Sequence, residues 1–206
     1  MVSNFLKSIP FFLFLAMVMA GDADITTDFV VPMNYSANKA VDGNFFTFTG
    51  LRNVVNSDYT QNFTVTKANT ANFPALDGQS VSYTFLQFPA GAINPPHTHP
   101  RSAELLLVLK GWLNVGFIDT NNKIYKQTLT AGDMFVFPKG LVHYQSNDDP
   151  NQPSTSISAF GSANAGTVSV PLSVFTTGID DTILAKAFKT DVATIQKLKA
   201  GLAPKA

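Results

Sequence analysis

The stretch Gly91–Gly111, GAINPPHTHPRSAELLLVLKG, holds two of the chain's three histidines and its only glutamate. His97 and His99 are separated by a single residue. On a strand, side chains alternate with a period of two, so both imidazoles point to one face and can reach a common point. Glu104 follows after PRSA and opens the run ELLLVL, which reads as a strand entering a core. A carboxylate at the head of such a strand is costly to bury unless a positive or hydrogen-bonding group meets it. A cation held by the two imidazoles is the natural partner.

The third histidine sharpens that reading. His143 lies in GDMFVFPKGLVHYQSN, residues 132–147, where Gly132-Asp133 reads as a turn, MFVF as a strand and Pro138–Gly140 as a second turn. All three histidines and the glutamate therefore fall at strand starts or ends, in two hairpin-like segments. Scattered structural use would not place them so, and His97, His99, Glu104 and His143 are the candidate metal ligands. No catalytic residue is singled out beyond them. Gly91, Gly111, Gly132 and Gly140 read as turn glycines, Asn147 as a turn or hydrogen-bonding residue, and Lys139 as solvated.

At 206 residues the chain is long enough for one domain with a full core. Its formal net charge is zero and only 14% of residues are charged, which offers no basic face to nucleic acid. Residues 1–20 read as a secretory signal peptide: Lys7, an apolar run from Ile9 to Met19, and small residues for cleavage after Ala20. No later segment approaches the roughly 20 apolar residues a membrane span requires. Asn34-Tyr35-Ser36 and Asn62-Phe63-Thr64 match the acceptor pattern for N-glycosylation, weak signals alone that gain weight behind a signal peptide. Cysteine is absent, so stability must come from the core, from a metal or from oligomerisation.

After the signal peptide, residues 21–43 have little periodicity and read as an extended arm. From Asn44 the chain changes to short β-branched and aromatic runs, among them FFTFTGL, SVSYTFLQF, WLNVGFID, KIYKQTLT, STSISAFG and GTVSVPLSVF. Turn residues stand between them, so residues 44–176 are expected to form an all-β sandwich or barrel. The tail, 177–206, carries helical spacing at Ile183, Leu184, Ala187 and Phe188, then at Val192, Ile195 and Leu198. Asp180, Asp181 and Asp191 stand where they cap these helices. Two short helices after a complete β-domain are candidates for packing on another subunit or on their own barrel.

The two histidine segments match the paired motif of the cupin superfamily. In the first, Gly91, His97-Thr98-His99, Glu104 and Gly111 agree in spacing; in the second, Gly132, Pro138-Lys139-Gly140, His143 and Asn147 do. NPPHTHPRSAE, FPKGLVH and VSVPLSVF resemble more narrowly the plant germin-like proteins, over essentially the whole mature chain. The resemblance implies a double-sheet jelly-roll β-barrel with short C-terminal helices. It implies a manganese ion on His97, His99, Glu104 and His143, and homohexamers built as trimers of dimers. Two departures stand out. Family members typically carry a cysteine pair in the arm, where this chain has Val30 and no second cysteine. Oxalate-oxidising germins use two asparagines, three and thirteen residues before the first metal histidine; Asn94 matches one, and Thr84 replaces the other.

Three neutral imidazoles and one carboxylate leave a divalent ion with a net charge of +1 and, if six-coordinate, two open positions for small oxygen ligands. This ligand set does not by itself exclude zinc, copper or iron; the resemblance favours manganese. The expectation is a secreted, apoplastic manganese protein with superoxide dismutase-type activity and a role in the cell wall and defence. Superoxide is small and anionic and needs an open metal position more than a shaped pocket, so it tolerates Thr84. The alternatives are a metal-stabilised wall or receptor-like protein without turnover, and an oxalate oxidase assisted by Asn94, which Thr84 disfavours.

Overall fold

In the computed structural model, which describes residues 22–36, 40–55, 57–59 and 61–203, ten strands form two antiparallel five-stranded sheets. The strands are β1 (Thr64–Ala68), β2 (Ser82–Phe88), β3 (Ile93–Thr98), β4 (Glu104–Lys110), β5 (Trp112–Ile118), β6 (Ile124–Thr130), β7 (Met134–Phe137), β8 (His143–Ser146), β9 (Ser154–Phe160) and β10 (Val168–Ser169). One sheet runs β1-β2-β9-β4-β7 and the other β10-β3-β8-β5-β6. Pairing of β2 and β4 with the distant β9, and of β3 and β5 with β8, is the Greek-key crossing that closes a double-sheet jelly roll.

Period-two alternation decides which side chains fill the barrel. ELLLVLK reads in sequence as an unbroken apolar run, yet Glu104, Leu106 and Val108 are buried while Leu105 and Leu109 face outward. Leu106 and Val108 join Leu86, Phe88, Leu113, Val115, Leu129 and Phe137 in one apolar cluster. The cluster occupies one end of the barrel interior. Toward the other end β2 and β4 present Thr84 and Glu104, joined by His143 of β8 and Ser158 of β9, so a polar site is built on strands above an apolar base.

Tight turns join the strands at both ends, with Gly140 on the polar side, where its N–H donates to the His99 oxygen. Gly91, Gly111, Gly132 and Gly140 all have positive φ. At Gly111 (φ 75°) a side chain is excluded twice over, since a Cβ would stand 2.8 Å from the Pro153 carbonyl oxygen. Asn147, 1% exposed, ties the segment after β8 to β2: its Nδ2 lies 3.2, 3.0 and 2.8 Å from the carbonyl oxygens of Phe88, Pro89 and Gln152.

The strands occupy residues 64–169, a shorter stretch than the expected 44–176. FFTFTGL is not a strand: Asp42 accepts from the backbone N–H groups of Asn44 and Phe45, and these turn bonds take the donors a ladder would need. Its Phe45 is buried against Tyr35 of α1 (Met33–Ser36), and α2 (Arg52–Val55) follows. VSVPLSVF gives only β10 and then α3 (Val170–Phe175), where Pro171 sits in the first turn and its missing N–H costs nothing.

The C-terminal helices form as expected. Asp180 caps α4 (Asp181–Ala187) and Asp191 caps α5 (Val192–Leu202), each accepting from backbone N–H groups of the first turn. Leu184, Ala185 and Ile195 pack with Val174 and Phe175 of α3 in a small second core. Ile183 and Phe188 remain more than half exposed. The expected signal peptide, 1–20, lies outside the described residues, and among those described no helix is long and apolar enough to cross a membrane.

Candidate metal centre

The two motif segments meet at the polar end of the barrel. His97 lies near the end of β3 and His99 just beyond it, while Glu104 and His143 are the first residues of β4 and β8. β3 and β8 are neighbours with His97 opposite His143. A register shift between Asn94 and His97 bends β3 there, and Pro95-Pro96 fills the shift. One potential ligand atom from each of the four residues falls within a group no wider than 4.8 Å, and all four residues are buried.

Backbone carbonyls set the orientation of every imidazole. His97 Nδ1 lies 2.8 Å from the Pro95 oxygen, His143 Nδ1 lies 2.9 Å from the Leu141 oxygen, and His99 Nδ1 meets the Gly166 oxygen. A carbonyl only accepts, so each Nδ1 carries a proton and each ring turns its Nε2 inward, as a lone pair wherever the ring serves as a metal ligand. Glu104 Oε2 stands 3.0 Å from His99 Nε2 and 3.1 Å from His143 Nε2. Lone pairs facing a carboxylate oxygen at this distance repel unless a proton or a metal ion lies between them. Neighbouring ligands of an octahedral ion with bonds near 2.1 Å stand about 3 Å apart, so the donor set fits a divalent metal.

The other carboxylate oxygen is held from behind. Glu104 Oε1 accepts from Ser158 Oγ at 2.6 Å and from Gln145 Nε2 at 3.2 Å, and Gln145 Oε1 accepts from Asn94 Nδ2 at 2.7 Å. Burial alone would raise the Glu104 pKa. Donation to it from Nε2–H of His143 and His99, open to these rings in the metal-free protein when they carry the extra proton, outweighs that and holds the carboxyl well below the usual carboxylate range. His97 is lowered to about 4, first by burial and then by the neighbouring His143, so its ring is neutral and available as a ligand at pH 7.

A cavity of about 120 Å³ opens beside His97, His99 and Glu104, lined among others by Thr84, Asn94, Lys67 and Gly166. It has room for a few waters or one small ligand. Asn94 and Thr84 both reach it. Gln145 and Ser158 were not among the sequence candidates, though period two gave the signal. Gln145 is two residues beyond His143, and Ser154, Ser156 and Ser158 alternate along β9 with all three inward.

Residues 49–196 match the cupin family. Over 195 residues, spanning 92% of this chain and 90% of the relative, the sequence is 62% identical to germin-like protein 9-3 of Oryza sativa subsp. japonica. The chain is a cupin of the germin-like family. Another relative of this germin-like chain is the rhicadhesin receptor of Pisum sativum, 45% identical over 143 residues, covering 68% of the chain and 65% of the receptor. Among solved structures, oxalate oxidase superposes with a TM-score of 0.74 at 29% identity, over 90% of this chain and 94% of that one. The chain thus shares the fold of the family, and carries a three-histidine, one-glutamate cluster able to hold a metal. Asn34 and Asn62, the expected glycan acceptors, are exposed.

Proposed function

We propose that this germin-like protein binds manganese through His97, His99, Glu104 and His143 and dismutes superoxide outside the cell. The observation that carries the reading is the set of inward Nε2 lone pairs around one ionised carboxylate, beside a cavity only large enough for a small ligand. When bound there, manganese supplies one-electron exchange between its +2 and +3 states. One superoxide gives up an electron to become O₂, and a second takes it up with two protons to become H₂O₂. The protein holds the ligands, excludes bulky reductants, and through Lys67 at the cavity wall adds a positive charge that favours an anion. The peroxide released fits a role in cell-wall cross-linking and defence.

Secretion to the apoplast is supported by the leader pattern and by the exposed acceptors Asn34 and Asn62. Assembly into hexamers is supported by apolar side chains left exposed on the C-terminal helices, Ile183 and Phe188 first. Oxalate oxidation is the weaker enzymatic reading, because Thr84 offers no amide to the cavity. A receptor-like role without turnover draws support from the rhicadhesin receptor's 45% identity. The deciding experiment loads the purified protein with manganese and compares superoxide consumption with that of Glu104→Ala and Glu104→Gln variants. Activity lost in both supports the enzyme; equal activity in all three removes this site from the reaction.

A further inference from the structure

The loop between β9 and β10, residues 161–167, supplies the Gly166 carbonyl that orients His99. Gly166 has φ 72°, and a Cβ there would come 2.8 Å from Arg101 Nη2, so the loop turns back under the arginine. Arg101 also donates from Nε to the Asn164 oxygen at 2.5 Å and from its backbone N–H to the Ala165 oxygen at 3.2 Å. These bonds satisfy carbonyls only. The donors of the loop, at Ser162 (0% exposed) and Ala163 (3%), need an acceptor from elsewhere.

That acceptor comes from the start of the chain. The Asp22 carboxylate accepts from Ser162 Oγ at 2.6 Å and from the Ala163 backbone N–H at 2.5 Å, across a separation of 140 residues. Ser162 Oγ in turn accepts from the Asn164 backbone N–H at 3.1 Å. We propose that Asp22 is a positioning residue for the metal centre: the N-terminal arm latches the 161–167 loop, and through Gly166 fixes the ring of His99. Cleavage after Ala20 would make Asp22 the second residue of the mature chain. The inference rests on the four residues holding a metal.

The test uses the full mature chain, manganese as the probe, and four variants. Asp22→Ala and Ser162→Ala break the latch, Asp22→Asn keeps one acceptor, and Ile25→Ala loosens the arm at Gly78, against which Ile25 packs. Transfer of manganese to a chelator is expected to quicken about 10-fold in Asp22→Ala, the lower end of the effect of outer-shell changes. Ser162→Ala and Asp22→Asn should fall between it and wild type, and Ile25→Ala should lower thermal stability with release unchanged. Equal release from Asp22→Ala and Ile25→Ala overturns the latch. A second readout is independent of manganese: exchange of the His99 Nδ1 proton, followed by ¹⁵N-histidine NMR on metal-free protein. Slow exchange in wild type and faster exchange in Asp22→Ala supports the proposal, and identical exchange overturns it. Should wild type take up no manganese, the proposed function fails while this second readout still decides the latch. Should Asp22→Ala not fold, Ser162→Ala gives the same comparison from the other side of the bond.

Discussion

The two ends of one barrel interior use the same strands for opposite purposes. β2 presents Phe88 and Leu86 to the base but Thr84 and Ser82 to the mouth; β4 presents Val108 and Leu106, then Glu104. At the base, stability comes from removing apolar area from water and depends on shape. At the mouth, buried polar groups satisfy one another through Asn94, Gln145, Glu104 and Ser158, yet leave imidazole lone pairs turned on a carboxylate. The base is complete as a protein core, whereas the mouth turns three imidazoles and a carboxylate on one point that could hold a metal ion.

Substitutions that separate the ends test this contrast. The largest effect is expected from Leu106→Ala at the base, about 2–5 kcal/mol of stability as for other fully buried leucines, with metal stoichiometry unchanged. Denaturant titration beside elemental analysis measures both. Withdrawing the metal should act only through the mouth. With free manganese at 1,000 times its Kd, binding contributes about 4 kcal/mol, so a chelator should lower the melting temperature of wild type but not of His143→Ala. Equal lowering in both would erase the distinction between the ends.

Acid should also strike the mouth. The folded pKa of His97 is lowered to about 4 from an ordinary 6.5, so between those values the unfolded chain binds the extra proton. Metal-free protein is therefore expected to lose stability as pH falls through this window and to hold it above. Glu104, also lowered, acts in the same direction below the ordinary carboxylate range. Urea unfolding of the metal-free protein at pH 7.5 and pH 5 checks the sign, and His97→Gln should flatten the dependence. The smallest effect on stability is expected from Thr84→Asn, within about 1 kcal/mol for a side chain at the cavity wall. Its value lies in chemistry: an added amide should raise oxalate binding or turnover above that of wild type.

Much of this was legible in the sequence because the site depends on spacing. His97, His99, Glu104 and His143 hold their places by strand period and turn length, both of which a one-dimensional pattern records. The outer support was harder to see. Ser158 and Gly166 reach the ligands through sheet pairing and a carbonyl direction, and Asp22 reaches Ser162, in the loop that carries Gly166, across 140 residues. The errors of element type, FFTFTGL and VSVPLSVF, came from β-rich composition overruled by local acceptors at Asp42 and by Pro171. Alternation also hid in ELLLVLK, where apolar residues face both core and surface.

The central claim is that the mouth of the barrel is a manganese redox site. It is tested most directly by measuring metal content and superoxide consumption on the same sample of protein purified without added metal, beside His143→Ala. We expect about one manganese per chain, with ion and turnover lost together in the variant. A wild-type protein that is folded and free of transition metal, or turnover that survives in the metal-free variant, would contradict it.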